Sequence, residues 1–372
     1  MPVTHSHADA RAWLILLRAP GLGVSRVRKL IAEHQSPVAA IDAALRDVDD
    51  ETRAWLRAPD ESSLAADIAW LDAPQHQLIS IADADYPELL RKGQNPPAAL
   101  FVVGDPALLW SPQIAIVGAR NATASGLDNA RIFAREFARR GNTVTSGLAE
   151  GIDGAAHAAA LEAGGKTIAV MGTGPDVVYP RRHADLARRI ADNGALVTEF
   201  PPGVPALPEH FPRRNRIIAA LSLGTLVVEA NLKSGSLITA RLANEQSRDV
   251  FALPGSIHSQ MSRGCHKLIR EGAKLVETAD EVLEELHATG ALLADALRAR
   301  LTTETPATSQ LLLVRGDDPE YSRLLSALDA QPAALDELAD RTGFSAAALS
   351  SMLLVLELDG VVVADSGRYA RR

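Results

Sequence analysis

The sequence has little of what several protein classes require. It contains one cysteine, Cys265, among 372 residues, so no internal disulfide can form and an oxidising compartment is not indicated. No apolar run reaches the roughly 18 residues of a membrane-spanning helix. The first residues, MPVTHSHADARAW, lack the basic-then-apolar order of a secretory signal. These absences predict a cytoplasmic protein without membrane insertion.

The usual patterns of metal, triphosphate and hydrolase sites are also missing. Cys265 and His266 stand alone without the paired spacing of zinc ligands, and no segment has the order of a Walker A loop. Ser146 does not lie in a nucleophile elbow. Asp153 and His157, four residues apart, fit a structural pair on one helix face better than a catalytic pair. We therefore expect no metal, no cofactor and no catalytic residue.

Charge is distributed unevenly along the chain. The net charge is −8, which alone argues weakly against a nucleic-acid partner. Residues 111–280, however, carry 20 Lys and Arg against 16 Asp and Glu, whereas the rest of the chain carries 18 against 30. The basic central segment keeps a polyanionic partner open.

Apolar segments alternate with helical segments in this central part. The predicted strands are IAIVG (114–118), TVTSG (143–147), TIAVMG (167–172), ALVTEF (195–200), GTLVVEA (224–230) and DVFALPG (249–255). Helices are predicted between them, for example at Leu127–Arg140 and Ala155–Ala163. This alternation favours an α/β fold with a doubly wound, mostly parallel sheet. Ligands of such sheets bind at the carboxyl ends of the strands.

An amino-terminal helical domain and a linker are predicted around this sheet domain, which we place at 76–287. Residues 1–75 include PGLGVSRVRKLIAEH at 20–34, where two glycines precede a basic amphipathic helix. This order is typical of a helix-hairpin-helix, whose amides can bind phosphate. The acidic residues that follow favour a structural role and leave DNA contact as the alternative. Residues 288–317 are predicted to be a linker.

The carboxyl-terminal residues 318–372 predict three helices followed by a hairpin that turns at Ser366-Gly367, the pattern of a winged helix. Its third helix, Ser345–Glu357, contains no Lys or Arg. Base readout in the major groove normally uses Arg, Lys, Asn or Gln. We therefore predict a docking or tethering module rather than a sequence-specific reader.

The loop after IAIVG is the first candidate binding site. A dinucleotide-binding turn would place glycines where this chain has Arg120 and Thr123. Gly118 still permits a sharp turn, and Arg120 adds a forked, permanently charged donor. The loop is therefore predicted to hold single phosphates, with a structural salt bridge of Arg120 as the alternative.

Two further loops combine small donors with glycine. Ser146 and Gly147 end a predicted strand and are predicted to make a second phosphate contact. Lys233, Ser234 and Gly235 precede another predicted helix, whose amino terminus would bind an anion.

The segment FPRRNRIIAAL, residues 211–221, carries an aromatic residue beside three arginines. The ring of Phe211 would stack on a base, and Arg214, Asn215 and Arg216 would contact the backbone. The alternative places Phe211 in the core and the arginines in internal ion pairs, and we expect that alternative for one or two of the arginines. The four loops together describe a binder of a polyanionic chain.

The order of these motifs resembles the DNA-processing protein A (DprA/Smf) family, most densely over residues 76–280. The matching strings are GAR, SGLAEGIDGAAH, GGKTIAVMGTG, YP, TEF, FPRRNRIIA, VVEANLKSGSLITA, VFALPG and GCHKLIREGA. The resemblance implies an extended Rossmann fold, flanked by a helix-hairpin-helix or SAM-like helical domain and a winged helix. It also implies a non-enzymatic protein that binds single-stranded DNA, protects it during natural transformation and loads the RecA recombinase.

The resemblance further implies which residues act. The implied DNA contacts are Gly118, Arg120, Ser146, Gly147, Phe211, Arg214, Asn215, Arg216, Lys233, Ser234 and Gly235. Family members form homodimers, and GCHKLIREGAKLV resembles their interface, which implies His266, Ile269 and Leu275. The chain departs from the family at Ala119, where a serine is usual, and at Pro208-Glu209-His210, where some members carry a basic residue.

Two other functions stay open from the residues alone. GTLVVEA faintly resembles an element of nucleotide-cleaving Rossmann enzymes, with Glu229 as a possible acid, although their preceding glycine pair is missing. A nucleotide sensor would bind mononucleotides tightly and DNA poorly.

Overall fold

The computed structural model describes residues 6–286, 319–328, 333–344, 349, 352–353, 356, 362–365 and 368–371. The chain divides into two units, Met1–Leu293 and Ala294–Arg372. The predicted linker 288–317 lies outside the described residues, and the three predicted domain boundaries stay predictions. Among the described helices, none combines the length and apolar character needed to cross a membrane.

Five short helices open the first unit. They are α1 (His7–Arg18), α2 (Val24–His34), α3 (Pro37–Ala44), α4 (Asp50–Arg57) and α5 (Glu61–Leu71). Side chains of Ser6, Ser36, Asp49 and Asp60 accept hydrogen bonds at four of the helix starts, as expected for N-caps. Their apolar faces share one core that includes Trp13.

The amides of the glycine turn between α1 and α2 are bonded within the turn. The amides of Leu22 and Gly23 donate to the carbonyls of Ala19 and Gly21. A Cβ on Gly21, whose φ is +70°, would lie 3.1 Å from a carboxylate oxygen of Asp49. This geometry supports the structural role of the turn over the DNA contact that the sequence left as an alternative.

A nine-stranded sheet follows. Its strands are β1 (His76–Ser80), β2 (Ala99–Gly104), β3 (Gln113–Val117), β4 (Thr143–Ser146), β5 (Thr167–Val170), β6 (Ala195–Thr198), β7 (Gly224–Val227), β8 (Asp249–Ala252) and β9 (Lys274–Leu275). The spatial order is β1-β2-β6-β5-β4-β3-β7-β8-β9. Pairing is antiparallel at β1–β2 and β2–β6 and parallel at the other ladders. The mostly parallel sheet is therefore confirmed.

The six predicted strands are all present, and each ends a few residues before the predicted boundary. Strand β9, which the sequence did not single out, is only two residues long. Every residue of β3, β4, β5, β6 and β7 is buried, because helices cover both faces of a parallel sheet.

Seven helices connect or cover these strands. They are α6 (Glu88–Arg91), α7 (Ala124–Arg139), α8 (Ile152–Glu162), α9 (Ala184–Asn193), α10 (His210–Leu221), α11 (Ser236–Glu245) and α12 (Arg263–Arg270). Residues 279–286 are also helical. The helices predicted at Leu127–Arg140 and Ala155–Ala163 correspond to α7 and α8, which each begin three residues earlier.

The second unit has its own small core. It contains α13 (Pro319–Ala327), α14 (Leu335–Thr342) and the strands β10 (Ala333–Ala334), β11 (Val362–Asp365) and β12 (Arg368–Arg371). Gly343 ends α14 in the left-handed conformation, as Gly at a helix C-terminus commonly does. Antiparallel pairing of β11 with β12 confirms the predicted hairpin. Ser366-Gly367 and most of Ser345–Glu357 lie outside the described residues.

Candidate functional site

The sheet reverses its winding direction between β3 and β7. From β3 the chain adds β4, β5 and β6 on one side, and then returns to add β7, β8 and β9 on the other. Loops leave such a switch point in opposite directions and open a crevice at the carboxyl ends of the strands. A cavity of about 680 Å³ lies at this position.

Most of the residues implied to contact DNA line this cavity. Its walls come from the loop after β3, the start of α10 and the loop before α11. The members of the predicted set that line it are Gly118, Arg120, Phe211, Arg214, Asn215, Lys233, Ser234 and Gly235. The sequence therefore located the cavity from motifs that are up to 117 residues apart.

The loop after β3 presents Arg120 at the cavity wall. Arg120 is exposed, and no carboxylate lies within ion-pair distance of it among residues 6–286. Its guanidinium lies 5.4 Å from the centre of the Phe211 ring, a cation–π arrangement. The alternative of a structural salt bridge is thus not the state of this side chain.

Glu229, the possible acid of an enzyme, anchors the same loop. Its carboxylate accepts hydrogen bonds from the Thr123 amide, at 2.9 Å, and from the Thr123 hydroxyl, at 2.5 Å. Thr123 also caps α7 by accepting from the Gly126 amide. Both carboxylate oxygens therefore hold the turn that presents Arg120.

Glycine at position 118 lets this loop approach α8 closely. A Cβ there would lie 2.5 Å from Cγ1 of Ile152, a distance that real side chains do not adopt. The Ile152 amide donates to the Ala119 carbonyl at 3.2 Å. The loop is therefore fixed to the start of α8 by packing and by a backbone hydrogen bond.

Arg214 forms the floor of the cavity. It is 3% exposed, and its Nε and Nη1 have no hydrogen-bond partner within the part of the chain that the structure describes. Burial lowers the pKa of Arg214 to about 10, and nearby Asp153 opposes that shift. The guanidinium is still protonated at neutral pH, so the floor holds a buried cation with unused donors. Such donors are costly to leave without an acceptor.

Ser146 and Gly147 differ from their predicted role as phosphate contacts. The Ser146 hydroxyl is buried and donates to the Ile116 carbonyl at 2.6 Å. The Gly147 amide donates to Asp153 at 3.1 Å, and a Cβ on Gly147 would overlap the Arg214 guanidinium. Neither residue lines the cavity. The donors of both residues are already used within the protein. The absence of a side chain at Gly147 leaves room for the Arg214 guanidinium.

Arg216 also differs from its predicted DNA contact. It is 7% exposed, and its Nη2 lies 2.7 Å from Oε2 of Glu199. The same oxygen lies 2.7 Å from Nη2 of Arg213. Burial lowers the pKa of Arg216, and the Glu199 charge opposes that shift. Both Arg213 and Arg216 thus pair with the buried Glu199, but only Arg216 is itself buried, as the alternative interpretation expected for one or two of the arginines.

The loop before α11 supplies the opposite wall. The Lys233 amide donates to the Asn231 side chain at 2.8 Å, while the Lys233 side chain is exposed and forms no ion pair with any described residue. The hydroxyls of Ser234 and Ser236 lie 2.7 Å apart. The N-cap residue of α11, Gly235, has no side chain to cap the helix. Since Gly235 and Ser236 line the cavity, the partial positive charge at the amino terminus of α11 lies at the cavity.

Asp153, which lines the cavity, and the buried His157 do not form the predicted pair. The Asp153 carboxylate accepts from the amides of Gly147 and Ala149, and burial raises its pKa. Nδ1 of His157 instead lies 2.7 Å from the Thr167 hydroxyl. Burial lowers the pKa of His157 to about 3, with smaller effects of His183 and Arg214. Both side chains are structural.

The implied dimer residues lie near the far edge of the sheet. Leu275, on the edge strand β9, is 50% exposed. His266 Nε2 lies 3.0 Å from the Gly255 carbonyl oxygen, and Ile269 packs against the main core. Leu275 is therefore the most accessible of the three.

Tyr179 and Asn231 line the cavity although the sequence reasoning did not select them as site residues. Asn231 directly precedes the predicted NLKSGS donors, so its position could have been included. Tyr179 lies in a loop 32 residues before Phe211, and the Arg181-Arg182 pair that follows it is a basic signal that could have directed attention to this loop. Only the tertiary structure brings it to the cavity.

The chemistry of the cavity is that of an anion binder. Arg120, Arg214 and Lys233 contribute three cations, whereas Asp153 is the single carboxylate among the lining residues that the structure describes. The described residues contain no cluster of His, Cys, Asp or Glu that could hold a metal ion. Guanidinium and ammonium groups beside an aromatic ring suit phosphates that carry a base.

Sequence comparison connects this arrangement with known proteins. A family model described as DNA recombination-mediator protein A matches residues 77–287, and the DprA winged helix domain matches residues 313–368. The Smf protein of Escherichia coli is 41% identical over 369 residues, which cover 98% of this chain and 96% of that protein. The winged-helix prediction is thereby confirmed.

Solved structures give the same result. DNA processing protein A of Streptococcus pneumoniae is 37% identical with a TM-score of 0.67, over 77% of this chain and 99% of that one. The Helicobacter pylori protein is 30% identical with a TM-score of 0.53, over 58% of this chain and 97% of that one. The latter structure is described as giving insight into the single-stranded DNA binding mode of DNA processing protein A.

Proposed function

Because the chain belongs to the DNA recombination-mediator protein A family, we propose that it binds single-stranded DNA in the cavity between β3 and β7. The observation that carries this proposal is the state of the cavity cations. Arg120 and Lys233 are exposed without ion pairs among the described residues, and the buried Arg214 lines the same cavity with unused donors. Phosphates would supply the missing acceptors.

Binding of this kind does not depend on sequence. The lining groups are charged or apolar side chains and small hydroxyls, which recognise phosphate and the faces of bases rather than base edges. Ser146, Gly147 and Arg216 act in this proposal as supports of Arg214 and α10. We assign direct contacts to Arg120, Phe211, Arg214, Asn215 and the loop 233–235, with Gly118 shaping the turn that carries Arg120.

Fluorescence anisotropy with labelled oligonucleotides tests the proposal. Wild-type protein should bind single strands more tightly than duplex of the same length. Arg120→Ala should weaken binding by about tenfold on every sequence tried, since one charge-assisted phosphate contact is worth about 1.5 kcal/mol. Lys166→Ala is the matched control, because Lys166 is exposed directly before β5, at the opposite edge of the sheet. Equal affinities of the wild type and Arg120→Ala would contradict the proposal.

We propose a binding role without a catalytic step. Glu229, the acid considered for nucleotide cleavage, already accepts two hydrogen bonds from Thr123. Incubation of purified protein with nucleoside monophosphates should release no free base, and release that Glu229→Gln abolishes would establish an enzyme instead.

The family membership also supports a role in natural transformation, in which the protein would protect incoming DNA, load RecA and act as a homodimer. The exposed Leu275 on edge strand β9 supports the dimer, because an edge strand presents unpaired backbone groups. Leu275→Glu should shift sedimentation toward the monomer mass. RecA filament assembly on single strands should begin sooner with the protein present, and no acceleration would contradict the loading role.

A further inference from the structure

Tyr179 is an aromatic side chain at the cavity rim to which the proposed function gives no task. It is 46% exposed and lines the cavity. Its hydroxyl has no hydrogen-bond partner among residues 6–286. A large aromatic ring that is half exposed loses the benefit of burial, so its contact surface is available to another apolar face.

Phe211, by comparison, is half-buried and packs against several neighbours. A Cβ on Gly172 would lie 2.9 Å from the edge of the Phe211 ring, so the ring packs directly on that glycine. The Arg120 guanidinium lies 5.4 Å from the ring centre, and the Tyr179 ring centre also lies 5.4 Å away at an interplanar angle of 46°. Three neighbours thus surround Phe211. Arg120 therefore covers part of the Phe211 ring, whereas the exposed ring of Tyr179 offers a second aromatic face.

The Tyr179 loop is held firmly in place. On its amino-terminal side, the Thr173 hydroxyl donates to the Val177 carbonyl at 2.5 Å, and the Gly203 amide donates to Asp176 at 2.7 Å. On its carboxyl-terminal side, Arg182 forms an ion pair with Glu150, which lowers the pKa of Glu150. Little conformational entropy would therefore be lost when a ligand contacts the ring.

We propose that Tyr179 is a nucleobase-stacking site, in which one base rests on the exposed face of its ring while a neighbouring phosphate reaches Arg120. Besides the direct contact assigned to it above, Phe211 packs against Arg120 and Tyr179 and so helps to hold both in position. This inference rests on the proposed function, because it assigns one base of the bound single strand to a particular side chain. The stacking is independent of the base, since every base has an apolar face.

Binding of oligothymidine and of an abasic oligonucleotide of equal length tests the inference. Tyr179→Ala should weaken oligothymidine binding at least about fivefold and leave abasic binding within twofold of the wild type. Tyr179→Phe should retain wild-type affinity, because the ring stacks without its hydroxyl. Ile132→Ala is the matched control, since Ile132 is 53% exposed on α7 and does not line the cavity.

A base analogue gives a readout that a merely structural role would not change. Fluorescence of 2-aminopurine within oligothymidine should be quenched on binding to the wild type and Tyr179→Phe, and less quenched with Tyr179→Ala. If Tyr179→Ala binds oligothymidine like the wild type while Arg120→Ala binds it weakly, the stacking site is wrong and the proposed function stands. If Arg120→Ala also binds like the wild type, both are wrong.

Discussion

The glycine turns at 231–236 and 21–23 resemble each other in sequence but differ in their surroundings. Each places glycine before a helix, with a basic residue close by. At the first turn Lys233 is exposed beside an open cavity. At the second, the amides of Leu22 and Gly23 bond to nearby carbonyls, and the Asp49 carboxylate lies against Gly21.

This difference shows what turns a glycine motif into an anion site. Backbone amides are bonded in both turns, so the difference lies in the side chains: a turn before a helix attracts phosphate where an exposed cation faces a cavity and no carboxylate competes with the phosphate. The arginines of FPRRNR differ in the same way, because Arg213 and Arg216 form ion pairs with Glu199, whereas Arg214 forms none with any described residue. Unused Nε and Nη1 donors occur in both Arg214 and Arg216. The placement of carboxylates thus distinguishes binding cations from structural ones.

Removal of Glu199 should give the largest effect. Glu199→Ala leaves Arg216 as a buried charge without a partner, and breaking a buried pair typically costs about 3–5 kcal/mol of unfolding free energy. Urea denaturation checks this, with the exposed Glu209→Ala as the control. A loss below about 1 kcal/mol would mean that carboxylates do not decide the role of these arginines.

The buried His157 near the cavity predicts that the free energy of unfolding depends on pH. Because the pKa of His157 falls to about 3 in the folded protein from an ordinary value near 6.5, the unfolded chain binds more protons between these values. Stability from neutral His157 is present in full above about pH 7.5 and should fall by about 2 kcal/mol between pH 6.5 and pH 4.5.

His157→Gln isolates this contribution. The variant should be less stable at pH 7, since the contact with Thr167 changes, but its unfolding free energy should depend less on pH between 6.5 and 4.5. Denaturation curves at several pH values measure the difference between the two proteins. Parallel pH profiles would show that His157 does not titrate as its burial requires.

Removal of the carboxylate beside the glycine turn at 21–23 should have a smaller effect on stability. Asp49→Ala removes the carboxylate beside Gly21 and the cap of α4, so the melting temperature should fall. Affinity for single-stranded DNA should stay within twofold, because the Leu22 and Gly23 amides still donate to backbone carbonyls. A clear gain in affinity would mean that the carboxylate alone closes this turn.

Much of the fold was predictable because its signals are local. Apolar strands such as Ile114–Val117 and helices such as α7 follow from residue patterns within a dozen positions. The two-residue β9 gave no such pattern, and it forms only because β8 offers a partner. Strand ends were predicted too long, because apolar residues after the ladder, such as Val228, remain buried.

The candidate site was predictable in its location but not in the role of every residue. Motifs at strand ends predicted that Arg120 and Lys233 would lie close together, and both line the cavity, since the carboxyl ends of parallel strands share one edge. Their contact with DNA stays a prediction. Sequence spacing could not show that Glu199 would meet Arg216 or that Gly147 would make room for Arg214. Those roles depend on side-chain contacts between distant segments.

The salt dependence of single-stranded DNA binding tests the central claim most directly. Two double variants are compared with the wild type. The cavity variant combines Arg120→Ala with Lys233→Ala, and the hairpin variant combines Arg26→Ala with Lys29→Ala on α2, directly after the glycine turn at 21–23. The cavity variant should lower the slope of log K against log salt by about 1.4, at about 0.7 per phosphate contact, and the hairpin variant should leave it unchanged. An unchanged slope for the cavity variant, with a reduced slope for the hairpin variant, would contradict the account.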